Sequence, residues 1–183
     1  MEFKEFKEGF VRLSEEKGIE ISIIEILKGS ECWDELLSCV KEKSRRFYRV
    51  LGTEFKNSLL QIDDSILVEN QIYIDKKDVV QKKGIALFFN SKSRHFSNSE
   101  STHYDNSESY HFGNSVSTHY GNSVSYHYGN SVSYHFDNSK STHFGNSKSR
   151  HFGNSESTHY GNSVSWYFDN SKSRHYDDSK KLN

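Results

Sequence analysis

Apolar positions along this chain follow two different rhythms. Phe3, Phe6, Phe10 and Leu13 recur at helical spacing and Gly18 offers a stop, which predicts a helix over 2–17. Ile19-Glu20-Ile21-Ser22-Ile23 alternates with period two and predicts a half-buried strand. Ser30 is placed to cap a second helix, whose apolar stripe is Trp33, Leu36, Leu37, Val40 and Phe47. Ile66, Val68, Ile72 and Ile74 alternate on either side of Glu69-Asn70, as two paired strands would. These elements predict a small α+β domain over residues 1–85, with Phe3, Phe6, Phe10, Trp33 and Phe47 filling its core.

The second rhythm begins at Asn90 and runs to Asp177. It consists of eleven consecutive octads of the form Asn-Ser-x-Ser-x-His-aromatic-(Gly/Asp). Within each octad Ser-x-Ser-x-His alternates as a strand does, and Gly-Asn or Asp-Asn supplies a bend from residues that tolerate positive φ. Short tandem units of this kind stack, each burying its face only against its neighbours. Residues 86–183 are therefore expected to form an all-β repeat domain, a parallel β-solenoid of eleven octapeptide repeats followed by a short charged tail. An antiparallel β-meander is the alternative. It would mix odd and even positions on both faces and leave two invariant serines unexplained.

One octad cannot close a coil alone. With two per coil, the outward third positions stack as Lys92, Glu108, Val124, Lys140, Glu156 and Lys172 on one side. The other side reads Glu100, Val116, Val132, Lys148 and Val164, and neither column places like charges together. Three octads per coil is the competing geometry and would stack Lys148 on Lys172. Two is preferred. The serines then face inward, and the aromatic at position 7 stacks on its copies at a corner. Serine and aromatic columns on a 16-residue coil resemble the ice-nucleation proteins, in architecture and over the repeat half only. That resemblance implies a solenoid. The regular outward Thr-x-Thr rows of those proteins are missing, because threonine stands only at Thr102, Thr118, Thr142 and Thr158, so ice is a disfavoured ligand, as is carbohydrate.

Composition sharpens this division. Apolar residues make up 33% of the 183 residues, and after Leu87 there is no isoleucine, alanine, methionine or cysteine. Aromatics reach 14%, too many for an ordinary disordered polymer. A formal net charge of −1 provides no general attraction to nucleic acid or anionic membrane. No signal peptide or membrane span is visible, which leads to the expectation of a cytoplasmic protein.

Candidate chemistry is concentrated in the octads. All ten histidines occupy position 6: His95, His103, His111, His119, His127, His135, His143, His151, His159 and His175. Tyr167 takes the one remaining place. Histidines stacked at the strand spacing could hold Zn, Ni or Cu, although no carboxylate or thiol has a fixed place in the unit. The plainer expectation is a ladder in which each imidazole donates to a neighbour or a corner carbonyl, with no bound cofactor. Ser-x-His invites comparison with a nucleophile and base, but catalysis needs one distinguished copy with an orienting group. No enzyme is expected.

Cys32 and Cys39, seven apart, read as buried structural thiols. Lys41, Lys43, Arg45, Arg46 and Arg49 read as a solvated helix face beside Glu35 and Glu42. The outward aromatics are better recognition candidates. Val116, Val132, Tyr134, Val164 and Trp166 should share one face, and Tyr110, Val124 and Tyr126 the other. The reading at this level is a non-enzymatic structural or interaction repeat protein. It would present a flat solenoid surface to a partner protein or to its own copy, with a metal-binding or pH-responsive histidine ladder as the alternative.

Overall fold

The computed structural model describes residues 1–182. The chain divides into two compact units, Met1–Ile72 and Tyr73–Asn183.

The first unit is helical. Its elements are α1 (Phe3–Glu16), α2 (Ile21–Gly29), α3 (Trp33–Glu42), α4 (Ser44–Leu51), α5 (Thr53–Leu59) and α6 (Asp64–Glu69). The first helix and the stripe of α3 follow the sequence rhythm. Phe6, Phe10 and Phe47 are buried, and an unbroken series of ring contacts at 5.3–5.6 Å runs from Trp33 through Phe6, Phe10 and Phe47 to Phe55. Phe47 belongs to α4 and not to the helix that carries Trp33.

Two expected strands are helices. Residues 21–23 lie in α2, where Ile21 is 75% exposed while Ile23, Ile24 and Leu27 are buried. The decisive spacing is Ile19, Ile23, Ile24, Leu27, a helical stripe that overlaps the two-residue alternation. In the same way Ile66 and Val68 lie in α6, with Leu67 buried and Val68 40% exposed. Asp63 caps α6, its carboxylate accepting the Ser65 N–H at 2.9 Å. Ser30 does not cap α3. Its hydroxyl donates to the Ile26 carbonyl at 3.0 Å and closes the end of α2. At the start of α3, the Glu35 carboxylate accepts the Glu31 N–H at 2.7 Å instead.

Cys39 is buried, and burial pushes its thiol pKa up. Cys32 is exposed, against expectation, because it occupies the N-cap of α3 outside the apolar stripe. In the basic cluster Arg45 and Arg49 are exposed and Arg46 pairs with Glu20 at 2.7 Å.

The second unit is a parallel β-solenoid of about seven turns and fifteen strands. The odd sheet contains β1 (Ile72–Ile74), β3 (Ile85–Phe89), β5 (Glu100–Tyr104), β7 (Val116–His119), β9 (Val132–His135), β11 (Lys148–His151), β13 (Val164–Tyr167) and β15 (Lys180–Leu182), in that order. The even sheet contains β2 (Val79–Gln81), β4 (Lys92–His95), β6 (Glu108–His111), β8 (Val124–His127), β10 (Lys140–His143), β12 (Glu156–His159) and β14 (Lys172–His175). Partners in register lie sixteen residues apart, as in Ser117↔Ser133 and Ser125↔Ser141. Each coil is therefore two octads. Residues 1–85 thus hold six helices and the strands β1 and β2, both of which belong to the solenoid sheets.

Corners obey a backbone rule. Position 8 always has positive φ, from +56° at Ser97 to +75° at Gly129, where glycine or a short polar residue is needed. Along one corner this position reads Asp105, Gly121, Asp137, Gly153, Asp169. A Cβ on Gly121 would lie 3.2 Å from the Asp105 backbone. The Asp137 carboxylate accepts the Gly121 N–H at 3.0 Å, and Asp169 accepts that of Gly153 at 3.1 Å. At this corner acid and glycine alternate, and Asp137 and Asp169 each close on the N–H of the glycine one coil earlier. Asparagines at position 1 form side-chain ladders, for example Asn130 to Asn114 and Asn146 to Asn130, both at 3.5 Å.

The histidine interior and the outward columns

Strand alternation sends positions 2, 4 and 6 inward. Apart from His175, every histidine is fully buried. The even sheet contributes His95, His111, His127, His143, His159 and His175, stacked at 4.5–4.8 Å between ring centroids. The odd sheet contributes His103, His119, His135 and His151, stacked at 4.8 Å. Rings of opposite columns meet edge to face, for example His119 with His127 at 5.5 Å and 83°. The two columns interlock like the teeth of a zip, an arrangement favoured by aromatic quadrupoles.

Hydrogen bonding in the ladder departs from the sequence expectation. The ring partner is neither a neighbouring imidazole nor a corner carbonyl. It is the position-4 serine two residues earlier on the same strand: Ser117 Oγ lies 3.0 Å from His119 Nε2, and Ser125 Oγ 3.0 Å from His127 Nε2. Side chains at i and i+2 stand side by side on one face of a strand, so from His95 to His159 this bond forms inside the octad without help from another coil. The first octad has a second partner, Gln81 Oε1, 2.7 Å from His95 Nδ1.

The other ring nitrogen behaves differently along the rod. At the C-terminal end Nδ1 of His159 meets Ser163 Oγ at 3.3 Å, and that of His175 meets Ser179 Oγ at 3.2 Å. From His111 to His151 the same two groups, Nδ1 and the position-2 hydroxyl four residues on, are both buried without a partner. Burial holds every histidine below its ordinary pKa, to about 3 at His95, His119 and His159. Neighbouring imidazoles push His111 and His127 in the same direction. The interior is a column of neutral rings.

Four histidine triads arise where the columns cross: His95, His103, His111; His111, His119, His127; His127, His135, His143; and His143, His151, His159. In each, one ring nitrogen per residue lies within 4.8 Å of the others. A tetrahedral ion with bonds of about 2.0–2.1 Å needs them about 3.3 Å apart, so at most about 1.5 Å of closure per pair separates triad from ligand set. His175 belongs to none of these triads, because Tyr167 takes the opposite-column place where a third imidazole would join it and His159.

Positions 3 and 5 face outward. On the odd sheet, register brings Val116 beside Val132, and Lys148 beside both Val132 and Val164. Tyr134 and Trp166 flank Arg150, whose guanidinium lies 5.7 and 5.8 Å from their rings. On the even sheet Tyr110 and Tyr126 stack at 4.8 Å with Val124 alongside. Lys92 pairs with Glu108 at 3.1 Å and Lys140 with Glu156 at 4.0 Å. Both expected residue groups are thus brought together, each on its own sheet. Sequence reasoning missed Arg150 as the link between the two odd-sheet aromatics, although its place in the position-5 column was legible.

Fold and interior together define a parallel β-solenoid repeat protein with a buried histidine ladder. Comparison with protein-family models, with curated proteins and with solved structures returns no match. Among the described residues no helix is long and apolar enough to cross a membrane.

Proposed function

We propose that this is a non-enzymatic structural protein whose repeat unit is a rigid rod presenting two flat faces for association with a protein partner or with its own copy. One observation carries the reading. The inward positions are nearly constant, while positions 3 and 5, which face solvent, vary among charged, aliphatic and aromatic residues. The variable information lies outside. The Ser–His pairs support the non-enzymatic part, because from His95 to His159 the imidazoles are fully buried and the copies are equivalent. Val116 is exposed and Val132, Tyr134, Val164 and Trp166 are half-buried on the same face, interrupted by Lys148 and Arg150. Outward apolar side chains gathered on one face are a common mark of an interaction site.

The test is to alter each face in the full chain, with Trp166→Ser plus Tyr134→Ser on the odd sheet and Val124→Lys on the even sheet. Far-UV circular dichroism should be unchanged. Self-association by sedimentation or partner capture by cross-linking should fall for at least one face. If both persist unchanged in both variants, the reading fails.

The four triads favour a second reading, uptake of Zn²⁺, Ni²⁺ or Cu²⁺ by the ladder. Calorimetric titration of the full chain with each ion decides it, since a purely structural ladder takes up none stoichiometrically.

A further inference from the structure

The position-3 column of the even sheet reads Lys92, Glu108, Val124, Lys140, Glu156, Lys172 over six coils. Consider a second copy laid face to face on this sheet, related by a twofold axis parallel to the strands. The solenoid axes are then antiparallel, and each column faces itself in reverse order. Centring the axis on Val124 places Lys92 opposite Glu156, Glu108 opposite Lys140, and Val124 opposite its own copy. Lys172 falls opposite the turn ahead of β2, where Lys77 and Asp78 adjoin.

Other long overlaps fail on charge. Sliding by half a coil either way sets Lys92 against Lys140, or Lys92 against Lys172. A further half coil sets Glu108 or Lys140 against itself. Turning the twofold axis along the rod sets Lys92 against Arg94 and Lys172 against Arg174. Like charges directly opposed are destabilising, so one register is selected.

Size complementarity selects the same register. The position-5 column runs Arg94, Tyr110, Tyr126, Thr142, Thr158, Arg174. Its two threonines line a depression together with Tyr126 and Arg174. Centred on Val124, the long Arg94 and Tyr110 of one copy meet Thr158 and Thr142 of the other, and the two Tyr126 rings meet at the axis.

From charge and size together we infer that two copies of this chain pair antiparallel through the even sheet, with the twofold axis at Val124. This rests on the reading of the flat faces as association surfaces and assigns one of them an occupant. Six coils at about 4.8 Å, by four residues at about 3.3 Å, give a face of about 380 Å². That is about half of the ~800 Å² per partner in a standard stable interface. The dimer is therefore weak, concentration-dependent and sensitive to salt.

Sedimentation of the full chain up to about 1 mM tests it. The wild type should rise from 21.3 kDa toward twice that mass, and less so at about 0.5 M salt. Val124→Lys, Lys140→Glu and Glu108→Lys should each weaken the dimer at least tenfold. Lysine and glutamate already occupy position 3 in other octads, so all three variants should fold. An equimolar mixture of Lys140→Glu with Glu108→Lys should recover association, because each altered charge then meets its opposite. A wild type that stays at 21.3 kDa, or a mixture no heavier than its components, overturns the inference. So does a dimer lost in Trp166→Ser with Tyr134→Ser but kept in Val124→Lys, although that result supports the broader reading by placing the contact on the odd sheet.

Discussion

The hydroxyl of Tyr167 lies 2.8 Å from Ser157 Oγ, across the interior on the opposite sheet. From His103 to His151 the histidine rings bond only the serine of their own strand among the described residues, whereas the Tyr167 hydroxyl ties the two sheets together at short range. Its ring keeps the stacking, 4.9 Å above His151, and its hydroxyl also approaches His175 Nε2 at 3.4 Å. Tyr167→Phe retains the ring and loses the tie. The expected cost is about 1 kcal/mol, read from the urea midpoint of unfolding.

Loss of the intra-strand partner should cost more. Among the described residues Ser133 Oγ is the only hydrogen-bond partner of the His135 ring, whose Nδ1 is already without one. Ser133→Ala leaves both ring nitrogens buried and unpaired, at an expected cost of about 1–3 kcal/mol. Ser131→Ala, which removes a hydroxyl that has no partner, should be nearly neutral or slightly stabilising. Equal midpoints for the two variants would show that the Ser–His bond contributes nothing.

Acid should unfold the solenoid abruptly. Burial lowers the histidine pKa in the folded state, to about 3 at His119, while the unfolded value stays near 6.5. The unfolded chain therefore binds more protons below pH ~6.5, and stability present above that pH is lost as pH falls toward 3. Each buried histidine contributes up to about 1.4 kcal/mol per pH unit. With nine fully buried, the combined slope is roughly 12 kcal/mol per unit, comparable to the whole stability of a domain. Circular dichroism from pH 7.5 to 5 should show cooperative loss of the β signal within about one to two units. Equal stability at pH 5 and pH 7.5 would rule out a pH-responsive ladder.

Corner positions should discriminate sharply among side chains. Gly121 has φ +70°, and a Cβ there meets the Asp105 backbone at 3.2 Å. Gly121→Val combines a β-branched residue with left-handed backbone and close contact, and is expected to cost about 2–3 kcal/mol in thermal or urea denaturation. Gly121→Asn keeps a residue tolerant of that conformation and should cost about 1 kcal/mol or less.

The candidate surface was largely legible in the sequence, because strand alternation assigns faces directly. Lys92 beside Glu108 and Tyr110 beside Tyr126 follow from a sixteen-residue coil, and the charge columns favoured that coil over a longer one. The head was less legible. Ile19-Glu20-Ile21-Ser22-Ile23 satisfies a strand and, through Ile24 and Leu27, also a helix. Which residues the helical core would bury decides between them, and that depends on neighbours distant in sequence.

By itself the amino-acid sequence determined the repeat register, which positions face in and the corner residues, and it favoured two octads per coil over three, since each depends only on backbone periodicity and on residues one coil apart. Only the tertiary structure decided how the interior is bonded. Edge-to-face interlocking of His119 with His127 and the reach of Tyr167 to Ser157 both depend on the distance between two sheets. That distance is set by the bulk of every inward side chain acting together, a quantity no single octad contains.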